Sequence, residues 1–597
     1  MTLSAAPSLL LLPLLQQLVG ASALAPAAGK KPHIVMHLAD DFGWANAGWH
    51  RPPGYKEVQT PAMDALVKDG IELDHAYSYK FCSPTRSCLQ SGRLPVHVNV
   101  LNLAPDAWNP ADPISGFAAI PRNMTGIATK LKSAGYATHQ VGKWDAGMGT
   151  VDHTPHGRGY DTAFGYFHHA NNYWTEVVGA FTDLYNETEE TSWAGPGPVF
   201  APTNGPAYGL NGSCPDPEGS FWPPNGACGM TGPEEQYEEY KFKLRNLEII
   251  HGHDAANADA PLFLCYTSHI VHEPLQVPNT TWNHFDFIAS AAVGDFQYHR
   301  QTYHSMVYYM DTVVGEMVQA LTAKGMWENT LWVHQSDNGG PSFTGSDHTA
   351  NNYPQKGSKM ANWQGGIRVN AFVSGGLLKT AAPAMIGKKL DGFTHACDWY
   401  ATFCALAGVD KTDTRAALAK LPPVDGLDLW PYLTGASKSS PRTEVFADSQ
   451  PFGVLLMEIG GKKWKLYMKD GPDEENTYNS DMEALAPFWY GTPPPKYDGS
   501  VGVACWMGPQ YPNASVNPAC NSSVPLPDEG LLYDLDTDPG EYTSVATSNP
   551  GPLKIISARL AQLQPTFFNP QRTGGNSSRA STAAAARGGF WGPFVFP

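Results

Sequence analysis

The chain has 597 residues, with 39 Lys plus Arg against 56 Asp plus Glu and a formal net charge of −17. That length can bury a large core and implies more than one domain, while the acidic balance argues against nucleic-acid or anionic-membrane partners. Charged residues make up only 16%, and 59 Gly and 51 Pro mark a loop-rich globular protein rather than a disordered one.

The first 23 residues read as a secretory signal peptide: a short apolar core from Leu9 to Leu15, then the small residues Ala21-Ser22-Ala23. No stretch reaches the roughly 18 apolar residues that a spanning helix needs, so no membrane span is expected. Sequons at Asn123, Asn186, Asn211, Asn279, Asn513, Asn521 and Asn576 fit a secreted, extracellular, or lysosomal or vacuolar glycoprotein. Of nine cysteines, Cys214 with Cys228 and Cys505 with Cys520 flank short Gly/Pro-rich loops and read as disulfides. Cys397 and Cys404 stand two helical turns apart, about 10 Å, too far for a bridge. These two, with Cys88 and Cys265, read as buried free thiols.

Four apolar runs come next, each ending in polar residues. His33–Ala39 runs into Asp40-Asp41, and Ala137–Val141 into Gly142-Lys143-Trp144-Asp145. Pro261–Ser268 runs into His269-Ile270-Val271-His272, and Thr330–Gln335 into Ser336-Asp337-Asn338. Short apolar runs bounded by turn signals predict buried strands of a mostly parallel sheet. Helices predicted at Pro61–Lys68, Thr125–Ala134 and Tyr303–Lys324 make the domain a layered α/β one, and ligands of such sheets bind beyond the carboxyl ends of the strands. Phe181–Pro233 reads as a long insertion roofing the site. From about Arg442 the texture changes. Lys462–Met468 and Gly530–Leu535 read as antiparallel strands and Ile555–Leu563 as a helix. The expected division is a catalytic domain over 32–440, a smaller α+β domain over 441–570, and a flexible tail over 571–597.

Cys82-Ser83-Pro84-Thr85-Arg86, followed by Leu89-Gln90-Ser91-Gly92-Arg93, is the most informative stretch. Ser83 is a candidate helix cap and Pro84 suits a first turn, which would set Cys82 against a helix N-terminus, an anion-friendly place. C-x-P-x-R followed by L-x-[ST]-G-R resembles the signature of the type I sulfatases. In that family the cysteine is oxidised to formylglycine, the nucleophile, by a formylglycine-generating enzyme. The likeness runs from about Pro32 to Leu563 and is greatest to the arylsulfatase B (N-acetylgalactosamine-4-sulfatase) branch. It includes Val141-Gly142-Lys143-Trp144, Gly159-Tyr160-Asp161, Val271 to Pro278, and Gly357-Ser358-Lys359. It implies the alkaline-phosphatase-like fold and hydrolysis of sulfate esters, aryl sulfates in assay and sulfated sugars in nature.

Asp40, Asp41, Asp337 and Asn338 are the candidate metal set. Three carboxylates at neighbouring strand ends repel unless a cation neutralises them, and oxygen donors select Ca²⁺ or Mg²⁺ over Zn²⁺. The resemblance implies one Ca²⁺, with the modified Cys82 completing the set. It further implies that Arg86 anchors the formylglycine, that Lys143 and Lys359 grip the sulfate, and that His272 protonates the departing alcohol. An unperturbed histidine titrates near about 6.5, so a mildly acidic pH optimum is expected. The chain departs from the family in one place: Asp145 stands where the family has a histidine, the base of sulfate release. Either Asp145 takes that role or a nearby histidine, His153 or His156, does. His168-His169, with Asn171-Asn172-Tyr173-Trp174, reads either as a substrate contact at the cleft mouth or as a solvated loop. Two other functions compete: a phosphoryl or phosphonate monoester hydrolase of the alkaline phosphatase superfamily, and a secreted glycan-binding pseudosulfatase.

Overall fold

The structure, a computed structural model, describes residues 30–188, 191, 193, 234–291, 296–341, 350–449, 452–469, 529–541, 543–575 and 578–596. Both expected disulfides and the signal peptide lie outside these residues, as does most of the 181–233 insertion.

Fifteen strands are described: β1 (His33–Ala39), β2 (Ile71–Tyr77), β3 (Ala137–Lys143), β4 (Thr162–Tyr166), β5 (Val177–Val178), β6 (Phe181–Thr182), β7 (Tyr185–Glu187), β8 (Leu262–Thr267), β9 (Thr330–Ser336), β10 (Ala371–Ser374), β11 (Lys388–His395), β12 (Glu444–Asp448), β13 (Phe452–Ile459), β14 (Lys462–Lys469) and β15 (Leu531–Asp534). Nine form one sheet in the order β11-β2-β10-β9-β1-β8-β3-β4-β7. The run β9-β1-β8-β3-β4 is parallel throughout. Strand β10 and the edge strand β7 run antiparallel to their neighbours, so the sheet is mixed. The four apolar runs are its four central strands, and their carboxyl ends share one edge.

Each central strand is buried on both faces. In β1, Ile34, Met36 and Leu38 face one cluster, with Leu131, Trp399 and Phe403 from helices Ile127–Ser133 and Asp398–Ala407. Val35 and Ala39 face the other, with Phe242, Met306 and Met310 from helices Glu238–Gly252 and Phe296–Ala323. This is the period-2 alternation of a strand between two helical layers. Helix α1 (Pro61–Lys68) has the expected bounds, with proline in its first turn. The helix expected over 303–324 begins earlier, at Phe296.

The second sheet, β12-β13-β14-β15, is antiparallel, and helix Pro550–Leu563 packs Leu560 against Gly453. Buried ion pairs hold it to the first: Lys80–Asp448 at 2.8 Å, and Lys465 at 2.6 Å from Glu541, whose other oxygen accepts from the Gln364 amide.

The tail differs from the flexible segment expected. Ser578–Ala586 is helical and buries Ala580 and Ala584. Trp591 and Phe594 are buried, and the backbones of Thr182 and residues 589–591 exchange hydrogen bonds. Ser- and Ala-rich composition suggested mobility, but alanine is the best helix former, and two large aromatics anchor the residues beyond the helix. The five described cysteines, Cys82, Cys88, Cys265, Cys397 and Cys404, are buried free thiols.

Candidate active site

Helix α2 (Cys82–Ser91) opens at the carboxyl edge of the large sheet, and all of its residues are buried. It ends at Gly92, whose φ of 70° suits the left-handed helix stop that glycine supplies. Its start differs from the expectation that Ser83 caps it. Phe81 is the cap residue and gives no side-chain bond, while the Ser83 hydroxyl donates instead to Asp145 Oδ1 at 2.6 Å. The Thr85 hydroxyl oxygen accepts from the Tyr79 amide, fixing the entry to the helix. Cys82 thus stands in the first turn with Sγ 3.5 Å from Asp40 Oδ1. Burial, and the Asp40 charge after it, push its thiol well above the ordinary range.

Asp40, Asp41, Asp337 and Asn338 meet because β1 and β9 are parallel neighbours in register. Ala39 lies opposite Ser336, and the Asp337 amide donates to Ala39 O at 2.9 Å. Asp41 adopts a left-handed φ of 57°, which Asp tolerates better than most residues. Its carboxylate accepts from Asn338 Nδ2 at 2.7 Å, and its amide donates to Asp337 Oδ1 at 3.2 Å. The Tyr303 hydroxyl donates to Asp41 O at 2.9 Å, bracing this turn from the long helix. Burial and Asp40 raise the Asp337 carboxyl to about 6, and burial raises Asp41 as well.

Three cations lie among the three carboxylates. Arg86 donates to Asp337 Oδ2 through Nε at 3.0 Å and NH2 at 2.9 Å, and through NH1 to Lys143 O at 2.8 Å. Lys143 Nζ is 2.6 Å from Asp40, and Lys359 Nζ 2.8 Å from Asp41. The repulsion expected among the carboxylates is therefore already balanced by the chain. Burial opposes both ammonium groups, yet Asp40 holds Lys143 above its ordinary value and Asp41 holds Lys359 well above its own. Gly142 makes the approach of β3 possible: its φ is 102°, and a Cβ there would lie 2.0 Å from Thr267 O.

A divalent cation fits these residues. Asp40, Asp41, Cys82 and His272 each offer a ligand atom within 4.8 Å of the others. Asn338 Oδ1 is buried without a hydrogen-bond partner among the described residues, an oxygen that a hard cation would satisfy.

His272 sits beside Lys359 and Asp41, but not as an unperturbed histidine. Its Nδ1 donates to Glu273 O at 2.7 Å, so Nε2 is the acceptor, 2.9 Å from Lys359 Nζ. Burial, Lys359 and Lys143 push it well below the ordinary histidine value. The mildly acidic optimum expected from an ordinary histidine therefore does not follow for His272 in this setting. Tyr173, read from the sequence only as part of a substrate contact or solvated loop, donates to the carbonyls of His269 and His272 and braces this loop.

Asp145 ends the β3 segment with a φ of 45° and only 3% exposure. It lies 3.7 Å from Lys143, and its oxygens are 3.0 and 3.1 Å from His169 Nδ1. Burial opposes its charge, but His169, Lys143 and Ser83 hold its carboxyl down to about 2. His153 and His156 are engaged elsewhere: His153 Nδ1 with Thr150, and His156 Nδ1 with Tyr160 O. The histidine at Asp145 is His169, whose sequence signal was the tandem His168-His169 beside Asn171-Asn172-Tyr173-Trp174. Cys82, Arg86, Lys143, Asp145, His272 and Lys359 thus surround the four metal candidates in one connected cluster.

A sulfatase family model matches residues 32–409. Arylsulfatase J of Mus musculus is 26% identical over 95% of this chain and 81% of its own length. Arylsulfatase A of Homo sapiens is 26% identical over 90% of this chain and 88% of its own. The solved structure of Ps i-CgsB in complex with k-i-k-neocarrahexaose superposes with a TM-score of 0.62 at 21% identity, covering 94% of this chain and 98% of that one.

Proposed function

This chain belongs to the sulfatase family, and we propose that it hydrolyses sulfate esters with a formylglycine made from Cys82 and one Ca²⁺ held by Asp40, Asp41, Asp337 and Asn338. The family and its arylsulfatase relatives make the chain a sulfuric ester hydrolase. The observation that carries the finer reading is the meeting of Cys82 Sγ with Asp40, beside Asp41 and the orphaned Asn338 oxygen at the ends of β1 and β9.

A hydrated formylglycine at position 82 would supply one hydroxyl as nucleophile toward sulfur and a second whose deprotonation would re-form the aldehyde, and an ion held by the acidic set would supply positive charge for the sulfate oxygens. The chain's residues do the rest. Arg86, fixed by Asp337 and Lys143 O, holds the modified residue's surroundings rigid. Lys143 and Lys359, each beside a carboxylate of the metal set, would stabilise charge developing on the transferred group. His272, whose Nε2 accepts from Lys359 across 2.9 Å, is the group proposed to protonate the departing alcohol once it has itself taken up a proton. The natural substrate proposed is a sulfated sugar, supported by the motif likeness over Val271–Pro278. No described helix is long and apolar enough to cross a membrane.

The test is peptide mass spectrometry and metal analysis of protein made in a host with the modifying machinery. Formylglycine at position 82, bound calcium and a preference for aryl sulfate over aryl phosphate are expected. An active preparation carrying only unmodified cysteine, or faster cleavage of the phosphate, overturns the reading.

A further inference from the structure

His168 and His169 follow β4 and are drawn in opposite directions. His168 Nδ1 lies 2.8 Å from Asp183 Oδ2, two backbone amides bind the same carboxylate, and the His168 ring packs 4.8 Å from Trp591 of the C-terminal tail. This anchors the loop. His169 turns the other way, toward helix α2, with Nδ1 at 3.0 and 3.1 Å from the Asp145 oxygens and 3.3 Å from Ser83 Oγ.

The hydrogen bonds settle the tautomer. Asp145 is ionised and can only accept, so Nδ1 carries a proton, and in the neutral ring Nε2 is the nitrogen with the lone pair. That Nε2 is buried and has no partner among the described residues. Ser83 adjoins Cys82 in the chain, so the ring is held one residue from the nucleophile. The Asp145 oxygens are already engaged by the Ser83 hydroxyl and His169 Nδ1, whereas His169 Nε2 has a lone pair without a partner among the described residues, which makes the imidazole the better placed proton acceptor.

We propose, resting on the sulfatase reading above, that His169 is the proton acceptor for sulfate release and that Asp145 is its positioning residue. In this step the free hydroxyl on the side chain of residue 82 gives its proton to His169 Nε2. The O–H electron pair becomes the second C–O bond of the aldehyde. The C–O bond to sulfate breaks, and sulfate leaves with that electron pair. Asp145 holds the tautomer, offsets the charge of the imidazolium that forms, and is itself steered by Ser83, the same division of labour as in an Asp–His pair of a hydrolase triad. The imidazolium then returns its proton to water by movement of the ring, whose side chain is 26% exposed although Nε2 itself is covered.

The experiment compares wild type, His169→Gln, His169→Asn and Asp145→Asn, all carrying formylglycine, after rapid mixing with an aryl sulfate. The His169 variants are expected to give a burst of one phenol per site, then turnover slowed about a hundredfold. Their residue-82 peptide should gain the mass of one SO3. Asp145→Asn should show the same signature more weakly. Independently of turnover, nitrogen NMR of histidine-labelled unmodified protein should show His169 with Nε2 unprotonated, and Asp145→Asn should mix the two tautomers. Folding of each variant is read from its melting temperature, with two His169 replacements so that one misfolded variant does not decide the outcome. Wild-type turnover in a folded His169 variant, slowed turnover without sulfated peptide, or a proton on Nε2 in the wild type overturns the inference. A wild type that neither cleaves sulfate esters nor becomes sulfated overturns the sulfatase chemistry together with it, whereas normal wild-type turnover beside an undiminished His169→Gln overturns this step alone.

Discussion

The two flanks of Cys82 are built differently. On one flank, Asp40, Asp41, Asp337 and Asn338 come from the ends of two adjacent parallel strands, each pair contiguous in the chain, and Arg86, Lys143 and Lys359 balance the three carboxylates. On the other, Ser83, Asp145 and His169 come from a helix, a strand end and a loop, and one carboxylate gathers a hydroxyl and an imidazole. The first flank is a charge lattice, in which removing one member leaves a buried opposite charge. The second is a hydrogen-bonded chain ending in a free lone pair, in which removing one member changes proton traffic more than stability. Rigidity is thus concentrated where charge must be held, and a free valence is left where a proton must move.

Four perturbations break or sharpen that contrast. The largest effect is expected from Cys82→Ala, which stands between the flanks: turnover of an aryl sulfate should fall to the no-enzyme background, with the fold intact by circular dichroism. Residual turnover above background would show that another group attacks sulfur.

Asp337→Ala should break the charge lattice twice over. It removes a proposed metal ligand and leaves the Arg86 guanidinium buried without its main partner, a loss of about 3–5 kcal/mol. Denaturant unfolding and metal analysis read the two effects together. Full calcium occupancy in this variant would refute the ligand assignment, and unchanged stability would refute the lattice.

His272→Ala should slow cleavage by about a hundredfold for a sugar alcohol, and by much less for an activated phenol that needs no proton to leave. Rates across a series of leaving groups check this, and equal losses along the series would show that His272 does not protonate the departing oxygen.

Asp145→Asn should give the smallest loss, and one with a pH signature. The native carboxyl is held at about 2 against an ordinary 3.8, so its contribution to stability is fully present above pH 3.8 and is lost as pH falls through about 2. At about 1.4 kcal/mol per unit, wild type should exceed Asp145→Asn by about 2 kcal/mol near neutrality, with the gap closing in acid. A gap that stays constant between pH 5 and pH 2 would mean that the carboxylate charge is not what the site holds.

The central sheet was legible because each of its four strands carries an apolar run closed by a polar cluster, and a strand buried on both faces leaves that mark in a single stretch of chain. The same holds for α1, announced by Pro61, and for the antiparallel pair Lys462–Lys469 with Leu531–Asp534. The C-terminal tail was misjudged because its composition is that of a linker, and its order comes from Trp591 and Phe594 packing against residues far away in the chain. Ser83 was misjudged for the opposite reason: its local sequence suits a cap, but a carboxylate 62 residues later offers its hydroxyl a better partner.

By itself the amino-acid sequence determined which groups would be available at the sheet's carboxyl edge: the thiol of Cys82, the acids at 40, 41 and 337, the amide of Asn338, and the cations at 86, 143 and 359. Motifs contiguous in the chain, or spaced by the fixed periods of strands and helices, specify such sets locally. Only the tertiary structure decided their electrical state and their pairings. It gave the carboxylates three internal counter-ions, held His272 as an acceptor for Lys359, and set His169 rather than His153 or His156 against Asp145. The physical reason is that burial and ion pairing depend on which side chains come within about 4 Å once the layers pack, a distance that separation along the chain does not encode.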